Sequence, residues 1–213
     1  MIVPVIKQSC LRCRSGSSAA EFALVLPVFL LFLLGIIDVG RYAWTLNTVE
    51  KATQMGARAA VVSNFVATGL SSKEFGAVLG QGATIPLAQF DRVLCSKSGS
   101  TVSCSCPTGY TAPPVCSTLG TPDSTTFNAI VTRMRAIAPA IAEGNVSINY
   151  SNSGLGYAGD PNGADVAPLV TVSVNNLAFT PLIFQFFGAS FSMPAITASL
   201  TMEDGQGAVE NAN

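Results

Sequence analysis

Between Phe22 and Ile37 the chain reads FALVLPVFLLFLLGII, sixteen apolar residues without a charge, closed by Asp38, Val39, Gly40 and Arg41. An α-helix rises about 1.5 Å per residue, so the run covers about 24 Å, short of the roughly 30 Å hydrocarbon core of a bilayer. Val39 and Gly40 extend it, and Tyr42 and Trp44 suit the aromatic belt of a membrane interface. A core helix of a water-soluble protein keeps a polar stripe, and this run has none on any face. The sequence therefore predicts a transmembrane helix over residues 17–41.

The flanks set an orientation. Lys7, Arg12 and Arg14 precede the segment with no acidic residue before Glu21, whereas Asp38, Glu50 and Lys51 mix signs after it. The positive-inside bias places the N-terminus in the cytoplasm and the remainder on the far side. A cleaved signal peptide would have a shorter apolar region ending in a small-x-small site, and Ile37-Asp38-Val39-Gly40-Arg41-Tyr42 is not one, so the helix is expected to stay attached. Four stretches follow: a basic leader over 1–16, the membrane helix over 17–41, its continuation over 42–66, and an exported α+β domain over 67–213 with a Cys-rich insertion at 93–117.

Composition narrows the function classes. Hydrophobic residues make up 49% of the chain and charged residues 11%, too apolar for disorder. Eleven basic and twelve acidic side chains leave a net charge of -1, which provides no field for recruiting nucleic acid. Histidine is absent, which removes Ser-His-Asp and Cys-His catalysis and every His-ligated metal site. No Walker loop, GxSxG elbow, HExxH or dinucleotide-binding fingerprint is present, so a non-enzymatic protein without a cofactor or metal is expected.

Gly16-Ser17-Ser18-Ala19-Ala20-Glu21-Phe22 joins the leader to the apolar run. One reading of Glu21 is a first-turn carboxylate complementing the helix dipole, with Ser17 or Ser18 as N-cap. The other starts from the cost of a carboxylate at the hydrocarbon edge. A glutamate five residues after a glycine, directly before an apolar helix, resembles a type IV prepilin processing site. There a membrane peptidase would cut after Gly16, leaving Ser17 with a free amine that Glu21 of a neighbouring subunit can neutralise.

A wider resemblance runs from Gly16 to Ala60. Ala20-Glu21-Phe22-Ala23-Leu24-Val25-Leu26-Pro27, Gly35-Ile36-Ile37-Asp38-Val39-Gly40-Arg41 and Gly56-Ala57-Arg58-Ala59-Ala60 closely resemble the TadE-like family of tight-adherence (Flp) pilus assembly proteins. The resemblance implies a single-pass, pseudopilin-like subunit of the bacterial inner membrane, with its C-terminal domain periplasmic. The implied partners are the membrane, a prepilin peptidase, and other pilus subunits with their assembly machinery. Gly16, Ser17, Glu21 and Phe22 match the processing and assembly positions. The competing reading is a permanently anchored periplasmic binding or adhesion protein that keeps its leader.

Beyond the membrane, Leu46, Val49, Ala52, Met55, Gly56, Ala59, Ala60 and Val62 recur at spacings of three and four, predicting that the helix continues to about Asn64. Pro27 removes a backbone hydrogen bond to Ala23 and is expected to bend it. Ala52, Gly56 and Ala60 form a smooth stripe for close approach, expected to pack on the C-terminal domain. Asp38 and Arg41, at i and i+3, are placed to pair.

In the exported domain, residues 69–82 read as a loop with one short helix. Val93 to Cys104 reads as two short strands about a Ser-Gly turn. Cys95, Cys104, Cys106 and Cys116 lie in a 22-residue window assigned to an oxidising compartment, so disulfides are expected. Cys104 and Cys106 are too close in sequence to pair, leaving 95–104 with 106–116, or 95–106 with 104–116. A four-thiolate zinc site would need paired CxxC spacing, which is missing. Cys10 and Cys13 form a CxxC only in the leader.

Asp123 or Ser124 can cap a helix through Phe127, Ile130, Val131, Met134, Ile137 and Ile141, ending at Gly144. Residues 146–150, 169–174 and 195–202 alternate as strands. A small antiparallel sheet packed on the long helix, as in pilins, is the expected architecture. Asp160, Asn162 and Asp165 fail the EF-hand spacing, and an Asn162-Gly163 turn is expected there. Phe184, Phe186, Phe187 and Phe191 are either core or a surface for partners or bilayer.

Overall fold

The computed structural model describes residues 15–106, 114–161, 163–185, 188 and 190–202. The Cys10–Cys13 pair, most of the leader, and residues 107–113 of the Cys-rich insertion lie outside them. The chain divides into two compact units, Met1–Ala43 with Thr180–Ser190, and Trp44–Phe179 with Phe191–Asn213. The grouping of residues 180–190 with the start of the chain has no counterpart in the sequence reading.

Helix α1 spans Ser15–Val62 and continues through Pro27. In the first unit its side chains from residue 18 to residue 33 are exposed on all sides, Phe22, Phe29 and Phe32 among them. A helix with no covered face matches a sequence with no polar stripe.

In the second unit α1 is amphipathic. Val49, Ala52, Thr53, Gly56, Ala57, Ala59 and Ala60 are buried, following the spacing of one helix face. Two buried hydroxyls, one on the helix and one just past its end, are satisfied locally. Thr53 Oγ1 donates to the Val49 carbonyl at 2.8 Å, and Ser63 Oγ donates to the Ala60 carbonyl at 3.1 Å. The second bond takes up one of the carbonyls that a helix C-terminus leaves unpaired, and the helix stops at Val62 rather than Asn64.

Strands β1 (Arg92–Ser98) and β2 (Thr101–Ser105) form a hairpin, with Gly99 at φ +59° supplying the left-handed turn. Strands β3 (Val146–Ser151), β4 (Leu169–Val174) and β7 (Ile196–Thr201) complete an antiparallel sheet of order β2-β1-β3-β4-β7. Strands β5 (Ala178–Phe179) and β6 (Phe191–Ser192) make a separate short pair, which the sequence reading did not anticipate. The α+β architecture, a long apolar helix followed by a further helix and an antiparallel sheet, is as the sequence predicts.

The strands alternate as expected of a sheet with one buried face. Val93, Cys95, Val146, Ile148, Tyr150, Val170, Val172 and Val174 are buried, and the register aligns Cys95 with Ile148 and Ile148 with Val172. Tyr150 is wholly buried. Its ring lies 5.5 Å from that of Phe65, and its hydroxyl accepts a hydrogen bond from the Val66 amide at 3.1 Å. Burial pushes that hydroxyl's pKa well above its ordinary value.

Helix α2 is a single turn, Gly76–Leu79, and α3 spans Ser124–Ile137. Asp123 is the N-cap of α3, its carboxylate accepting from the amides of Thr125 (2.9 Å) and Thr126 (3.1 Å). The helix ends seven residues before Gly144, a correction with a plain cause. Ala138 precedes Pro139, whose ring disfavours helical geometry in the residue before it, and Ala138 sits at φ −124°, ψ 85°. Phe127, Ile130, Val131 and Met134 form its buried stripe. Lys97 Nζ, on β1, reaches Asn128 Oδ1 on α3 at 3.0 Å and Glu143 Oε2 at 2.6 Å, and this contact holds the Glu143 carboxyl below its ordinary pKa.

Candidate membrane anchor and assembly segment

The candidate anchor is the apolar part of α1, in the first unit. The helix containing residues 18–62 is the one candidate membrane span among the described residues, by length and composition. Its exposed apolar surface would be costly in water at about 25 cal/mol per Å², and a bilayer removes that cost.

Gly16 and Ser17 lie in the first turn of the described helix, although the Ser17 side chain is outside the described residues. Glu21 is the seventh helical residue and exposed, and Phe22 beside it is exposed as well. The first-turn dipole reading of Glu21 therefore does not hold, because the helix already runs from Ser15. Glu21 stands at the start of the apolar surface rather than at a helix terminus.

At the other end of the apolar run, Asp38 is only 7% exposed. Its carboxylate has three donors. Arg41 Nη1 approaches Oδ1 at 2.9 Å, so the pairing expected from the i, i+3 spacing is present. The Leu182 amide donates to Oδ1 at 2.9 Å and the Ile183 amide to Oδ2 at 3.2 Å. These amides open α4 (Leu182–Gln185), preceded by Pro181. The first amides of any helix lack intrahelical acceptors, and proline offers no capping side chain. Asp38 supplies that acceptor from 144 residues away.

Sequence reasoning missed Leu182 and Ile183. The available signal was the charge-free apolar stretch after Pro181, which needs an external cap.

In the second unit, Cys95 and Cys104 are directly opposed in the β1–β2 register, with Cα atoms 4.1 Å apart, and form one disulfide. Cys106 and Cys116 form the other across Cα atoms 5.9 Å apart. Of the two pairings left open by sequence, the structure has 95–104 with 106–116.

Ala52, Gly56 and Ala60 are buried within the second unit. A Cβ built on Gly56 would come within 2.6 Å of Met134 Sδ, so the missing side chain lets α1 and α3 approach.

Asp165 is 3% exposed and accepts from the amides of Phe75 at 2.6 Å and Asp160 at 3.0 Å, tying two loops together. Asn162 lies outside the described residues. No group of three His, Cys, Asp or Glu side chains is placed to hold a metal ion among the described residues. Of the phenylalanine cluster, Phe186, Phe187 and the Phe184 side chain are outside the described residues. Phe191 is 45% exposed, with its ring 5.4 Å from that of Phe179.

Residues 16–58 match the model of the TadE-like protein family, the family that the N-terminal sequence resembles. That family is associated with assembly of tight-adherence pili. The match covers α1 almost to its end and stops before the sheet. No curated protein and no solved structure matches the chain.

Proposed function

Because residues 16–58 carry a TadE-like sequence, we propose that this chain is a pseudopilin-like membrane subunit acting, without catalysis of its own, in the assembly of a tight-adherence pilus. The observation that carries the reading is the placement of Gly16 and Glu21. They stand five residues apart on one helix that leads directly into an apolar surface exposed on every side. Cleavage after Gly16 would leave the ammonium of Ser17 at the edge of the hydrocarbon. The Glu21 carboxylate of an adjacent subunit neutralises it, since an unpaired charge of either sign is costly at that depth. Helices exposed all round have lateral faces available for such packing, and Gly35, with open space where a Cβ would lie, adds a smooth spot in mid-span.

In this reading the leader faces the cytoplasm, the inner membrane holds α1, and the disulfide-bearing unit lies in the periplasm, where oxidised cysteines persist. The partners are a prepilin peptidase, other pilus subunits and the assembly machinery.

Mass spectrometry of the mature N-terminus in peptidase-competent cells tests the claim. The expected species begins at Ser17. An intact Met1, or a cut near residue 40, overturns the processing claim and favours a permanently anchored periplasmic protein. Glu21→Ala is expected to leave the protein in the membrane while piliation is lost, and unaltered piliation would count against the pilin-like role.

A further inference from the structure

The stretch between β5 and β6 reads TPLIFQFFGAS over residues 180–190, and no charged residue occurs from Val166 to Met202. It groups with the first part of α1 rather than with the sheet. Leu182 and Ile183 are both half-buried, each keeping part of its surface open. Their amides are held within 2.9 and 3.2 Å of the Asp38 carboxylate. Asp38 is the first residue after the sixteen-residue apolar run and stands within one helical turn of Arg41, where the span expected over 17–41 leaves the hydrocarbon. Groups held at hydrogen-bond distance from that carboxylate share its depth.

The local chemistry fits such a level. Backbone near hydrocarbon must satisfy its polar groups within the protein. Here Asp38 takes the first two amides of α4, and the Gln185 amide donates to the Pro181 carbonyl at 2.9 Å. Arg41, bound to the same carboxylate with its side chain 44% exposed, brings a positive charge to the level where lipid phosphates lie.

We propose that Leu182 and Ile183 form a second membrane contact, lying in the interface of the leaflet from which α1 emerges, with Asp38 as the positioning residue. The occupant of this apolar surface is the lipid itself, continuous with the lipid around α1. The proposal rests on the reading of α1 as a membrane span, and the experiment separates the two.

The full chain is reconstituted in vesicles of phosphatidylcholine and phosphatidylglycerol carrying brominated acyl chains. The chain has one tryptophan, Trp44, which is 77% exposed, so Trp44→Phe clears the background. Phe32→Trp then reports on the span and Ile183→Trp on the loop, in separate proteins. Leu182→Trp repeats the loop measurement if Ile183→Trp fails to fold. Both reporters are expected to be quenched, the span most by bromines deep in the chains and the loop most by bromines near the headgroups. Quenching of the span reporter with none of the loop reporters overturns the second contact alone. Absence of quenching at both sites overturns the span and the contact together. Adding Asp38→Ala is expected to abolish the fixed shallow depth of the loop reporter, and an unchanged depth profile overturns the positioning role of Asp38.

Discussion

Tyr150 gives the most direct test of how the second unit is held together. Its side chain is wholly buried, and its only atom beyond those of phenylalanine is the hydroxyl that accepts from the Val66 amide at 3.1 Å. Val66 is itself fully buried, so Tyr150→Phe leaves an N–H with no water to replace the lost acceptor. Such an orphaned donor costs about 1–3 kcal/mol. At about 2–4 °C per kcal/mol for a unit of this size, the midpoint should fall by about 2–12 °C.

The same hydroxyl carries an alkaline signature, because burial raises its folded pKa above the unfolded value of about 10. A raised pKa means that the stability Tyr150 lends is full below that unfolded value. It then declines by about 1.36 kcal/mol per pH unit as pH rises toward the folded value. Tyr150→Phe has no such ionisation, so the gap between the two proteins narrows as pH rises above about 10. Thermal unfolding of both full chains in detergent, followed by far-ultraviolet circular dichroism across this range, reads the difference. A gap that is the same at about pH 8 and about pH 11 would refute the buried neutral hydroxyl.

Asp38→Ala removes the shared acceptor of Leu182 and Ile183, and faster hydrogen exchange at those two amides is expected; unchanged protection would show that α4 caps itself. A Cβ on Gly69 would lie 1.8 Å from the Thr118 carbonyl oxygen, a backbone atom with little room to yield, whereas nothing lies within 4 Å of one on Gly163. Gly69→Ala should therefore cost about 1–3 kcal/mol or more, and Gly163→Ala stay within about 0.5 kcal/mol; equal denaturation midpoints would contradict the close approach. Loss of the Cys95–Cys104 bond through the paired serine variant should cost about 2–4 kcal/mol. A non-reducing peptide map is expected to show 95–104 and 106–116, and a 95–106 link would refute the pairing.

What could be read from the sequence was local. The apolar run, the Gly16–Glu21 spacing, the alternation of β3 and β4 and the Asp123 cap each declare themselves within a few residues. Even the misplaced end of α3 was legible, since Pro139 marks it and apolar periodicity followed to Ile141 overrode the mark. The carboxylate and hydroxyl acceptors were not legible. Asp38 serves amides 144 and 145 residues away, Asp165 one 90 residues away and Tyr150 one 84 residues away. Periodicity reports which face of an element is buried, not which polar atom meets it, and a buried amide leaves no mark in the residue that carries it. The need for an acceptor can still be inferred, because α4 follows Pro181 and so begins without a capping side chain of its own. Its supplier emerges only from the tertiary arrangement, which brings the end of the apolar helix to the start of a loop near the far end of the chain.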